Sequence, residues 1–151
     1  MRKKWLTGIF VILILGSAAV LYAVKEYNRL PASMAETKED RAVNAGELID
    51  AYEANAAQAD SVFLGKTLLV KGLVAGIEGS GKNDMTIILR SGESGTTIRC
   101  SLDSSLAGKA IPVKEQDSIE LRGICTGYIA GDLGLGADII LNKTFITKKI
   151  Q

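Results

Sequence analysis

The sequence predicts a mainly β domain, a small closed Greek-key barrel of five strands, preceded by one capping α-helix and an N-terminal transmembrane helix. Three observations predict it. An uncharged run of 20 residues near the N-terminus is long enough to cross a bilayer, five β-rich segments follow residue 66, and a break of about 15 residues separates the third from the fourth. Composition sets the outer bounds. With 151 residues, eight aromatics, two cysteines and no histidine, the chain has room for one modest domain and lacks the commonest general base and metal ligand. Ser-His-Asp and Cys-His catalysis, HExxH metalloprotease chemistry and His-containing zinc sites are excluded, and two cysteines cannot complete a Cys₄ site. No enzyme, cofactor or metal is expected.

Residues 5–24, WLTGIFVILILGSAAVLYAV, span about 30 Å at a helical rise of about 1.5 Å per residue, the thickness of a hydrocarbon core. Arg2, Lys3 and Lys4 precede the run, so residues 1–4 should stay in the cytoplasm. Everything after Lys25 should then be exported, giving a single-pass protein of the inner (cytoplasmic) membrane with a periplasmic C-terminal domain. A cleaved signal peptide is the competing reading, since Ser17-Ala18-Ala19 resembles a cleavage site. Val20 to Val24 carry the apolar run past that site, and no cysteine near its end could take a lipid, so a retained anchor is expected. Beyond residue 24 the chain holds 15 basic and 17 acidic residues, no attractant for polyanions.

Residues 25–43 read as a linker, with Pro31 and the mixed charges Glu36, Lys38, Glu39, Asp40 and Arg41 giving no periodic apolar face. Residues 44–151 form the domain. Asn44 three before Glu47 signals a capping box and a helix through about Ala59, with Leu48, Tyr52, Ala56 and Ala59 on one stripe. The first strand is Thr67 to Ile77, where Gly72 and Gly76 predict a bulge or bend. Met85 to Arg90 and Thr96 to Leu102 follow, the latter with Ile98 and Cys100 on one face and Thr97, Arg99 and Ser101 on the other. Ser118 to Thr126 and Asp138 to about Ile146 complete the set, with Ile119 and Leu121 opposite Glu120 and Arg122. Between strands three and four, Gly108 and Pro112 leave room for a turn at most.

Five short strands, the first long enough to bend and serve two sheets, are the pattern of the OB-fold. The order of Tyr52 and Asn55, Phe63-Leu64-Gly65-Lys66, Leu69-x-Lys71-Gly72-x-Val74, Ile98-x-Cys100, Ile119-x-Leu121-x-Gly123-x-Cys125-x-Gly127 and Asp138-Ile139-Ile140-Leu141-Asn142 resembles the tRNA_anti-like family of small bacterial OB-fold proteins. The resemblance spans residues 44–146 and rests on fold-making glycines and aliphatics. It implies a barrel behind an export or anchor segment, and it implies no catalytic residues.

Gly76 to Asn83 approximates a phosphate-binding GxxxxGK[ST] loop, yet Asn83 stands where a hydroxyl should reach magnesium and a strand follows where a helix is needed. A hairpin loop is expected there. OB barrels bind single strands through aromatics in a basic groove on the second and third strands; here Arg90, Arg99 and Lys82 offer some charge but those strands carry no aromatic, so single-stranded nucleic acid is the alternative and not the leading reading. Cys100 and Cys125 both face inward on this pattern, either bridged or as two buried thiols. Asp132 and Asp138 flank a glycine-rich loop with too few oxygens for calcium. The expected contact surface is therefore the two loops holding Lys82 and Asn83, and Tyr128 and Asp132, facing an unidentified envelope protein, peptide or glycan. The membrane is the other partner, through residues 5–24.

Overall fold

The computed structural model of the chain describes residues 37–79, 84–109, 111–131 and 136–150. The anchor at 5–24, most of the linker, and Lys82, Asn83 and Asp132 lie outside the described residues. Among the described residues no helix is long and apolar enough to cross a membrane.

The described residues form six strands and two α-helices in the order β1 (Arg41–Asn44), α1 (Ala45–Ala54), α2 (Ala56–Phe63), β2 (Thr67–Glu78), β3 (Thr86–Arg90), β4 (Thr97–Leu102), β5 (Ser118–Ile129) and β6 (Asp138–Ile150). β2 through β6 are the five strands expected from the alternation, each within a few residues of its expected ends. They close a barrel. β2 pairs antiparallel with β5 through Thr67–Leu73 and with β3 through Leu73–Glu78, β3 with β4, β4 parallel with β6, and β6 antiparallel with β5. The expected bulge in β2 lies between Val74 and Gly76. Alternation puts Leu68, Val70, Ile87, Leu89, Ile98 and Leu121 in a fully buried interior. A six-residue 3₁₀ helix, Ser104–Lys109, lies between β4 and β5, longer than the turn expected there.

Two elements differ from the sequence reading. Arg41–Asn44, read as the end of the linker, forms β1 and pairs parallel with Leu68–Lys71. The segment before it is fastened by tertiary partners that a local pattern does not contain. Asp40 exchanges two 2.8 Å hydrogen bonds with the Thr67 backbone, Glu39 pairs with Arg122 at 2.9 Å, and the Arg41 guanidinium lies 5.7 Å from the centre of the Phe63 ring. The expected single helix is also two. Asn55 takes an extended conformation and its side chain accepts from the Gln58 N–H at 3.0 Å, capping α2. The break re-aims the stripe, so Leu48 and Tyr52 of α1 and Ala59 and Phe63 of α2 all bury against the barrel. At the start of α1 the Asn44 N–H donates to the Glu47 carboxylate at 3.1 Å, as the capping signal predicts.

Candidate functional site

Alternation that buries Ile87, Leu89, Ile98 and Cys100 turns Thr86, Ile88, Arg90, Thr97, Arg99 and Ser101 to the outer face of β3 and β4. Register aligns Gly76, Ile88, Arg99 and Ile140 in one row across four strands. At its centre the Arg99 guanidinium forks onto the Glu78 carboxylate, contacting both oxygens. With side chains 32% and 52% exposed the pair adds little stability. It does neutralise the one cation at the middle of the face. No aromatic ring stands on β2, β3 or β4.

The rings are elsewhere. Tyr52, buried on α1, stacks on Tyr128 at 5.0 Å between centroids and 16° between planes, and lies 6.2 Å from the Phe63 ring. Its hydroxyl donates to Asp60 Oδ1 at 3.0 Å and lies 3.4 Å from Cys125 Sγ. Since the single phenol proton goes to Asp60, the thiol donates to the Tyr52 oxygen. Burial pushes the Tyr52 phenol and the Cys100 and Cys125 thiols above their ordinary values, so all three stay protonated at neutral pH. This is a packed hydrogen-bonded core, with no thiolate for redox work.

Tyr128, expected in a contact loop, is a strand residue packed on this cluster. The cause is a bulge. Cys125 pairs with Leu141 and Gly127 with Ile140, so Thr126 is the extra residue and parity flips after it, setting Tyr128 opposite buried Ile139. Of the two states left open for the cysteines, the structure holds two free buried thiols. Both pair in register with Leu141, from opposite sides of β6. Two strand spacings put their Cα atoms about 10 Å apart, beyond the reach of a disulfide.

A groove opens where β1, α1, β2 and β3 meet. Leu69 pairs with both Ala42 of β1 and Arg122 of β5, and Leu73 with both Arg90 of β3 and Ser118 of β5. β1 and β3 therefore lie along the same edge of β2, end to end, and between them the chain turns inward as α1. Gly72 permits that passage, because a Cβ there would stand 2.9 Å from the Ala45 Cβ and 3.2 Å from Leu89 Cδ1. The groove holds about 330 Å³, and Lys71, Leu73, Arg90, Ala45, Gly46 and Ser91 are among its walls. A smaller one of about 220 Å³ adjoins it, sharing Asn44 and Lys71 and adding Glu47 and Glu120. Lys71 and Leu73 are absent from the expected contact residues, and Arg90 enters the sequence analysis only as surface charge. Among the described residues no group of three His, Cys, Asp or Glu side chains could hold a metal ion.

Comparison with known proteins bears on the fold. The tRNA_anti-like family model matches residues 1–135. A Klebsiella pneumoniae lipoprotein named for nucleic-acid binding superposes with a TM-score of 0.50 at 16% identity, over 71% of this chain and 91% of its own. At that identity the likeness is one of fold alone. An aspartyl-tRNA synthetase from Leishmania major matches with a TM-score of 0.45 at 11% identity, over 89% of this chain and 27% of its own. An asparaginyl-tRNA synthetase from Entamoeba histolytica matches with a TM-score of 0.37 at 13% identity, over 76% and 25%. No curated protein matches the chain.

Proposed function

The chain belongs to the tRNA_anti-like family, and from that premise we propose that it is a membrane-anchored, exported OB-fold module that binds a protein or peptide of the envelope and catalyses no reaction. The observation that supports a protein partner over single-stranded nucleic acid is the outer face of β2–β4, free of rings and with Arg99 held by Glu78. Strand binding on an OB-fold rests on stacking as well as on charge, and the face that would supply the stacking carries no ring. The anchor at 5–24 and the positive residues before it support export. An envelope glycan would meet the same face with the same lack of rings to stack on.

The competing reading, single-stranded nucleic-acid binding, draws on the fold and on the name of the Klebsiella protein. A titration of the full chain with a fluorescent oligo(dT) at low and high salt separates the two. The proposal expects negligible anisotropy change at either salt. Tight binding that weakens steeply with salt would overturn it. Protease accessibility in intact spheroplasts tests export independently, and protection of residues 44–151 until lysis would overturn that part.

A further inference from the structure

We propose that the groove between β1, α1 and β3 is the partner-binding surface, and that it takes an acidic peptide segment carrying an aliphatic side chain. The inference rests on the protein-binding reading above and names its site and partner chemistry. Lys71 and Arg90 are the charged residues lining the larger groove, and no acid lines it. Neither side chain has a hydrogen bond or ion pair among the described residues. Between them stands Leu73, 50% exposed. It is paired in register with Arg90 and lies two residues along the same face from Lys71, about 7 Å away. The acids nearby are in the adjoining groove. Glu47 is engaged by the Asn44 N–H, and Glu120 sits across from Lys71 in register without forming an ion pair.

An occupant must therefore bring negative charge on both sides of an apolar group, which a short acidic peptide with alternating aliphatic residues does. The volume of about 330 Å³ is at the small end of binding pockets and suits a few residues of chain. Gly46 and Ser91, both lining it, approach so closely that a Cβ on Gly46 would come within 2.8 Å of Ser91 Oγ. The groove meets the outer β3–β4 face, on which OB barrels bind strands, only at Arg90.

The test is a titration of isotope-labelled full-length protein in detergent micelles with the capped tetrapeptide Glu-Leu-Glu-Leu and its neutral counterpart Gln-Leu-Gln-Leu. Saturable amide shifts centred on Gly46, Gly72, Ser91 and Gly92 are expected for the acidic peptide. The neutral peptide and the Lys71→Ala/Arg90→Ala variant should each bind about tenfold more weakly. Equal affinity for the two peptides, shifts centred elsewhere, or no shifts at millimolar peptide would overturn the groove assignment. Leu73→Ser, at an exposed position that cannot unfold the barrel, should weaken the acidic peptide while leaving its salt dependence intact. Oligo(dT) binding on the β3–β4 face would instead overturn the parent reading, whatever the peptides do.

Discussion

The cluster around Tyr52 and the surface around Leu73 divide the chemistry of this small barrel between them. At the first, three aromatic rings, a thiol and a carboxylate contact one another and are largely closed to water. At the second, Lys71 and Arg90, whose side chains have no ion pair among the described residues, flank an exposed leucine, and no ring is among the residues lining the groove. An OB-fold that gripped nucleic acid would distribute these groups the other way, rings outside and aliphatics within. Here the aromatics hold the helices to the barrel, and the large exposed hydrophobics among the described residues, Leu64, Leu73 and Ile129, are all aliphatic.

Removing the centre of the packed cluster should have the largest effect. Tyr52→Ala deletes a fully buried ring together with its bonds to Asp60 and Cys125, and should cost about 3–5 kcal/mol in urea unfolding. A cost near zero would break the contrast by showing that the cluster packs nothing.

Acid should act next. The carboxyls of Glu39, held by backbone hydrogen bonding and by Arg122, of Glu53, held by Ser94 and Thr96, and of Asp117, held by Lys149 and Lys114, all lie below their ordinary values. A lowered folded-state pKa contributes stability that is complete above the unfolded-state value and is lost as pH falls through the folded one. The melting temperature should therefore be level from neutrality to about pH 5 and fall below about pH 4. Glu53→Gln should flatten part of that fall, and a profile unchanged by it would remove Glu53 from the set.

Arg99→Ala should do least. The pair with Glu78 is exposed enough that its loss should cost less than about 1 kcal/mol, seen as a small shift in the urea midpoint. A larger loss would make the outer face a structural surface and sharpen the case for the groove.

How far this architecture was legible depends on where its causes lie. The five barrel strands were readable because alternation is local, and Ile98 and Cys100 or Ile119 and Leu121 declare their face within a few residues. The four residues of β1 carry no such pattern and become a strand only because Leu68–Lys71 offers an edge. The break at Asn55 was legible in Asn55-Ala-Ala-Gln58, a second capping signal inside what reads as one helix. Tyr128 could not be placed, since its orientation depends on a single bulged residue that a periodic reading carries straight through. The groove was hidden for a related reason. Lys71 and Arg90 are 19 positions apart and meet at one wall only through the register of β2 with β3.

The division between packing and contact is tested most directly by carrying Tyr128→Ala and Lys71→Ala/Arg90→Ala through the same urea unfolding and acidic-peptide titration. Tyr128→Ala should lower stability by about 1–3 kcal/mol and leave peptide affinity unchanged, while the charge variant should keep its unfolding midpoint and lose affinity. The reverse pattern, with Tyr128→Ala stable and unable to bind, would contradict the account by returning the ring to the contact surface.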